Sequence, residues 1–112
     1  MTWNWKVLDA GRFALDGGSM FGVVPKALWS KLVEPDSNNR IQEACNCVLL
    51  ERGDERVLIE TGYGDGWNEK EVEMFAMNGG TIAKALQEQD IDPESITCVI
   101  LSHLHFDHAA GV

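Results

Sequence analysis

The sequence has little positive charge, no long apolar run, and no histidine outside one short segment near its end. Its 112 residues include 9 lysines and arginines against 18 aspartates and glutamates, a formal net charge of −9. That charge repels nucleic-acid phosphates, so we expect no nucleic acid among the partners. No run approaches the roughly 20 apolar residues that cross a bilayer, and the start, MTWNWKVLDAG, has no signal-peptide pattern. We therefore expect no membrane partner and a cytoplasmic location.

The sequence also lacks the paired cysteines of a disulfide framework. It contains three cysteines: Cys45 and Cys47 are one residue apart, and Cys98 lies in another apolar run. Reduced, buried thiols are the simplest interpretation. A composition of 45% hydrophobic and 24% charged residues is typical of a folded chain and argues against disorder. We expect a single domain over residues 1–112.

Three apolar runs predict strands. Residues 43–51 and 56–61 are rich in β-forming side chains, and Gly53-Asp54 between them predicts a hairpin turn. Residues 96–101 are apolar without alternation, which is typical of a strand buried on both faces.

Helical patterns fill the interval between the second and third of these runs. One helix is predicted over residues 68–77, with Asn68 as its N-cap. A second is predicted over residues 81–90, with Thr81 as its N-cap. The second helix has a buried stripe of Ile82, Ala85 and Leu86. With a short strand predicted at residues 5–9, the order of elements indicates an α/β fold. Open α/β sheets bind ligands at the carboxyl ends of their strands.

All three histidines lie in ILSHLHFDHAAGV, residues 100–112, directly after the last predicted strand. His103 and His105 face the same side of an extended segment, Asp107 continues that side, and His108 follows. Imidazole and carboxylate groups bind transition metals, so the histidine pair can hold one metal and the Asp-His pair a second. Surface histidines, or core histidines satisfied by hydrogen bonds, are the alternative. Convergence at the end of an apolar strand favours metal binding.

The pattern His-x-His-x-Asp-His, residues 103–108, resembles the metal-binding motif of the metallo-β-lactamase superfamily. Residues 57–62, VLIETG, are similar to the family strand that ends in Asp-Thr-Gly, with the longer Glu60 in the acidic place. Ala110-Gly111 stands where the family commonly has Gly-Gly. The remaining residues of the motif resemble the version in N-acyl-homoserine lactone lactonases: Leu104, Phe106 and Ala109.

The resemblance implies an α/β fold that is half of a metallo-β-lactamase-type αββα sandwich, a mixed sheet with helices on one face. It implies that His103 and His105 bind a first divalent metal and that Asp107 and His108 bind a second. Zinc is the expected metal, with iron or manganese as alternatives. Asp107 is also the candidate catalytic residue, because its carboxylate could orient the nucleophile or transfer a proton to the leaving group.

The implied function is a metal-dependent hydrolase whose metal-activated water attacks an ester, lactone or similar acyl bond of a small-molecule substrate. Two alternatives stay open: a phosphodiesterase or nuclease of the same superfamily, or a non-catalytic regulatory protein that keeps the fold. The family's further ligands include two more histidines, which this chain lacks. We therefore expect these residues to be the amino-terminal portion of a larger metallo-hydrolase domain. Alone, this portion should be inactive and should self-associate or pair with the missing carboxyl-terminal half.

By family position, the loop that contains Tyr63, Asp65 and Trp67 is expected near the metals. A role in the substrate pocket and a simple role in turn formation both remain open for this loop.

Overall fold

A single four-stranded sheet forms the centre of the protein in the computed structural model, which describes residues 2–112. Its strands lie in chain order, with β1–β2 and β2–β3 antiparallel and β3–β4 parallel. The bounds are β1 (Asn4–Asp16), β2 (Arg40–Arg52), β3 (Glu55–Ile59) and β4 (Cys98–Ile100). The sheet is therefore mixed, as predicted, and the hairpin between β2 and β3 turns at Gly53-Asp54.

Five short helices accompany the sheet, and both predicted N-caps are present. The Asn68 side chain accepts a hydrogen bond from the Glu71 amide at 2.8 Å, and Thr81 accepts one from the Lys84 amide at 3.3 Å. Within residues 2–112 no helix has the length and apolar character needed to cross a membrane. The bounds are α1 (Gly17–Phe21), α2 (Lys26–Trp29), α3 (Glu69–Met74), α4 (Ile82–Glu88) and α5 (Phe106–Ala109), with a 3-10 turn at Pro93–Ser95.

The first strand is much longer than the predicted residues 5–9. β1 has 13 residues and pairs with β2 along its length, with a register shift between Asp9 and Arg12. At this bulge Gly11 has a φ of 116°, a conformation that glycine adopts without strain. The bulge interrupts the two-residue alternation of side chains, which is why the local pattern ended the strand too early.

The core lies between one face of the sheet and helix α4. The predicted stripe of α4 is confirmed, since Ile82, Ala85 and Leu86 are all buried and pack against the sheet. The facing strand residues include Leu8, Leu49 and Leu58 together with Cys45 and Cys47.

Two of the three cysteines are buried thiols, as expected, and one is not. Burial raises the pKa of Cys45 to about 11 and that of Cys47 to about 12, so both thiols stay protonated at neutral pH. Cys98 is exposed, because it lies on β4 at the edge of the sheet. All three cysteines are free.

The prediction that residues 96–101 form a strand buried on both faces is wrong. β4 spans only Cys98–Ile100, and Val99 and Ile100 are 43% and 47% exposed. Within residues 2–112 the strand pairs with β3 alone and lies at the edge of the sheet. Its side chains therefore stay partly exposed. A continuous apolar run indicates what a strand could bury, whereas its actual burial depends on neighbouring elements.

The sheet face opposite α4 carries exposed apolar side chains. Trp5 and Val7 of this face are 70% and 55% exposed. Contiguous apolar surface of this kind favours association. The strand register places two rows of side chains across this face: Trp5, Leu50, Val57 and Cys98 in one, and Val7, Val48, Ile59 and Ile100 in the next.

We expect copies of the chain to associate through this face, and Val7→Lys combined with Ile100→Lys to shift them toward monomer. A buried, unpaired ammonium group is strongly unfavourable, so a doubly substituted face cannot stack on another apolar surface. Sedimentation equilibrium measures the effect. Val23→Lys is the matched control, because Val23 is fully exposed and lies outside the sheet. A wild-type chain that is monomeric at all concentrations would contradict the prediction.

Candidate metal centre

The candidate centre forms where the parallel strands β3 and β4 end. The Glu60 amide donates to the carbonyl of Ile100 at 2.9 Å, which extends the ladder by one step beyond β3. The Ser102 amide then donates to the Glu60 carboxylate at 2.6 Å. The segment that follows β4 is thus tied to the residue that follows β3, and the histidines begin immediately beyond this tie.

The structure brings the three histidine rings together. The ring centroid of His103 lies 4.7 Å from that of His105 and 4.0 Å from that of His108. Ligand atoms of Glu60, His103 and His108 all lie within 4.8 Å of one another, close enough to surround one cation. The Ser102 hydroxyl lies 2.9 Å from Nδ1 of His103, which leaves Nε2 of that ring available as a ligand.

Asp107 and His108 form a second close pair. The extended segment ends at His105, and both residues lie in α5, so Asp107 does not continue the extended side as the sequence predicts. The Asp107 Oδ2 atom is 3.2 Å from Nε2 of His108. A carboxylate oxygen and an imidazole nitrogen lone pair repel each other at this distance unless a cation, either a proton or a metal, lies between them.

Glu60 connects the two strand ends to the histidine segment. One carboxylate oxygen accepts from the Ser102 amide, and the other contacts Nδ1 of His108. Burial would raise the pKa of Glu60, but the hydrogen bonds from Ser102 and His108 outweigh it and hold the pKa below its usual range. A carboxylate on Nδ1 fixes the ring and leaves Nε2 as the free nitrogen, an arrangement typical of histidine metal ligands.

Glu43 is a residue of this region that the sequence analysis did not select. It lies on β2 opposite Phe13, on the face that points toward the core. Burial and the negative charge of Asp107 raise the pKa of the Glu43 carboxyl. The available signal was its alternation with Cys45 and Cys47, since an acid on an otherwise apolar strand face is unusual.

Thr61 and Gly111 hold the far end of the segment. The backbone amide and the hydroxyl of Thr61 both donate to the His108 carbonyl at 2.9 Å, and the Gly111 amide donates to the Thr61 hydroxyl at 3.1 Å. A Cβ atom on Gly111 would lie 2.3 Å from the Thr61 carbonyl oxygen. At Gly111 the histidine segment therefore lies too close to the backbone of Thr61 for a side chain. Ala110 is exposed, so its methyl group is tolerated.

The loop after β3 supports the centre by packing. Tyr63 is buried, and its hydroxyl lies 2.9 Å from the carbonyl oxygens of both Arg12 and Asn78. The Trp67 indole donates to the Tyr63 carbonyl at 2.6 Å. Asp65 is exposed. These contacts give Tyr63 a structural role beside the histidine segment.

Comparison with known proteins identifies related sequences over most of the chain. The sequence profile of the metallo-beta-lactamase superfamily matches residues 40–112. An N-acyl homoserine lactonase of Bacillus cereus is 34% identical in an alignment 76 residues long, and the alignment covers 58% of this chain and 30% of that protein.

Solved structures resemble the chain over almost its whole length. A "probable metal-dependent hydrolase" from Staphylococcus aureus aligns with a TM-score of 0.86 and 35% identity, over 97% of this chain and 40% of that one. An N-acyl homoserine lactone hydrolase, with the product N-hexanoyl-L-homoserine bound at its catalytic metal centre, aligns with a TM-score of 0.66 and 26% identity. That alignment covers 99% of this chain and 45% of the other. The chain therefore spans less than half the length of these relatives.

We expect Gly111→Ala to destabilise the protein by about 1–3 kcal/mol, the usual cost of forcing an extra carbon into a packed site. The methyl group would meet the Thr61 carbonyl and displace the end of the histidine segment. Gly66→Ala is the matched control, since a Cβ there has no neighbour within 4 Å. Urea denaturation followed by circular dichroism measures both variants. Equal midpoints for Gly111→Ala and Gly66→Ala would show that the close approach does not constrain the fold.

Proposed function

Since the chain belongs to the metallo-beta-lactamase superfamily, we propose that it contributes the metal-binding segment of a hydrolase acting on an ester, lactone or similar acyl bond. The observation that carries the proposal is the convergence of imidazole and carboxylate groups at the ends of β3 and β4, with ligand atoms of Glu60, His103 and His108 within 4.8 Å. Asp107, the residue before His108, adds a carboxylate 3.2 Å from the Nε2 atom of His108.

We assign His103 and His105 to a first metal ion and Asp107 and His108 to a second. Among the described residues, the close group of ligand atoms contains His103 and His108 but not His105. The support from geometry therefore concerns the Asp107–His108 pair. Two ligand atoms that share a tetrahedral zinc ion at about 2.1 Å lie roughly 3.4 Å apart. The 3.2 Å between Asp107 Oδ2 and His108 Nε2 is close to this value. Mixed imidazole and carboxylate ligands favour zinc, and they also accept iron or manganese.

When bound, the metal ions would lower the pKa of a water molecule and polarise the acyl carbonyl group. The protein's own part is to place the groups around that water. Glu60 holds the ring of His108 through Nδ1, and Asp107 offers a carboxylate that can orient the nucleophile or transfer a proton to the leaving group. His105 and Leu104 are exposed, so a substrate can reach this side of the segment.

An acyl substrate is favoured over a phosphodiester for two reasons. The relatives that align at 34% and 26% identity are named as a lactonase and a lactone hydrolase. The net charge of −9 also opposes the binding of a polyanion, because like charges repel before contact. We further propose that a complete site takes additional ligands from outside these 112 residues, since they hold no other histidine.

For the 112-residue chain we expect weak zinc binding that depends on the histidine segment. His108→Ala should remove the binding that involves the Asp107–His108 pair, and Glu60→Gln should weaken that binding roughly 10- to 100-fold, the usual loss for a residue that orients a ligand. Leu104→Ala is the matched control, because Leu104 lies between two histidines yet is 80% exposed. Isothermal titration calorimetry measures all four proteins. Zinc binding that is unchanged by His108→Ala would refute the assignment of His108 as a ligand.

Hydrolysis tests the function itself. We expect little or no turnover by the 112-residue chain, and lactone or ester hydrolysis by a full-length protein that contains it. Asp107→Asn in that protein should remove most of the activity, while Asp65→Asn, a change at an exposed aspartate nearby, should not. A panel of lactone, thioester and phosphodiester substrates provides the measurement. Turnover of phosphodiesters alone, or full turnover by the isolated chain with two tightly bound zinc ions, would contradict the proposal.

A further inference from the structure

Phe106 lies between His105 and Asp107 and is the first residue of α5. Its side chain is half-buried and packs against the hydrophobic core, whereas Leu104, two residues earlier, is 80% exposed. The segment thus has one apolar residue that faces solvent and one that anchors it to the rest of the protein.

Three aromatic rings surround that of Phe106. The ring centroids of Phe13 and Trp67 each lie 5.4 Å away, and that of Phe75 lies 5.3 Å away. Their planes are inclined to that of Phe106 by 69°, 72° and 34° respectively. Edge-on and tilted arrangements at these distances are the favourable ones for aromatic pairs. We call these four residues the aromatic cluster.

The partners of Phe106 come from three separate parts of the chain and are themselves held in place. Phe13 belongs to β1, Trp67 follows β3, and Phe75 caps the end of α3. The Trp67 indole is fixed by its 2.6 Å hydrogen bond to the Tyr63 carbonyl. The Phe75 carbonyl accepts from the amide of Ala14 at 2.6 Å, which joins α3 to the edge of β1. The cluster is therefore a rigid site into which one ring of the histidine segment fits.

Helix α5 depends on such a site. It has four residues, and a helix of one turn does not persist by itself in water. The backbone of Phe106 determines where His105 before it and Asp107 after it point. Once the ring is fixed in the aromatic cluster, the backbone from which these two side chains project is held as well.

We propose that Phe106 is a positioning residue, and that its insertion among Phe13, Trp67 and Phe75 sets the affinity of the histidine segment for a divalent cation. The inference rests on the proposed function of that segment as a metal-binding element. It goes beyond that function by assigning control of the site to three aromatic residues, all of which lie more than 25 positions away from Phe106 in the sequence.

The test uses cobalt(II) as the probe, because its visible absorption reports ligand geometry as well as binding. Phe75→Leu should weaken cobalt binding by about 10-fold, a loss typical of residues that support a ligand, and should alter the spectrum. Phe75→Tyr keeps the ring and should restore both. Phe106→Leu should behave like Phe75→Leu. Leu8→Ala is the matched control, since Leu8 is buried in the same core but forms none of the described aromatic pairs with Phe106.

Amide hydrogen exchange without metal provides an independent measurement. The amides of Ala109 and Ala110 donate to the carbonyls of His105 and Phe106, and both should exchange faster in Phe75→Leu than in Leu8→Ala. Circular dichroism first establishes that each variant is folded at the temperature used. Unchanged cobalt affinity and exchange in Phe75→Leu, or equal changes in Leu8→Ala, would overturn the inference.

The two proposals fail in different ways. If the unmodified chain shows no cobalt binding that depends on His108, the proposed function is wrong and no affinity exists for the cluster to set. If that binding is present but does not respond to Phe75→Leu, the metal site stands and the positioning role of Phe106 is wrong.

Discussion

The parallel pairing of β3 with β4 is the interaction on which the candidate centre depends. Its register sets Leu58 opposite Val99 and Ile59 opposite Ile100, so the two strands end at the same level. Glu60 and Ser102 meet there because each follows the end of its strand. A shift of one residue would turn every side chain of β4 to the other face of the sheet and break this meeting. The crossover through α3 and α4 is what allows two parallel strands to lie side by side.

A second constraint is electrostatic. The carboxyl groups of Glu60 and Asp107 lie beside His108, the charge of Asp107 also acts on the Glu43 carboxyl, and the chain as a whole carries −9. Burial first, and the charge of Asp107 second, raise the pKa of the Glu43 carboxyl. Negative groups remain close together at low cost only when positive charge accompanies them. A divalent cation supplies that charge in a compact form. The acidic groups and the imidazole ligands therefore both favour a bound cation.

Local signals were sufficient for the parts of the fold that depend on a few neighbouring residues. The N-caps at Asn68 and Thr81 and the turn at Gly53 arise from side-chain and backbone preferences that act over three or four positions. The burial of β4 is different, because it depends on which elements cover the strand. The influence of the Asp107 charge on Glu43 likewise depends on how two distant parts of the chain fold, and no pattern within either stretch encodes it.

Two residues depart from the family pattern, and the sequence alone could not show which of them has the larger structural consequence. Glu60 and Ala110 each differ by a single carbon from the expected residue. At position 60 the φ of 70° and the longer side chain together let the carboxylate reach both Ser102 and His108. Position 110 is exposed and accommodates a methyl group, whereas a Cβ atom at position 111 would collide with Thr61. The geometry therefore concentrates the backbone constraint on Gly111. It also makes the added length of Glu60 part of how His108 is held.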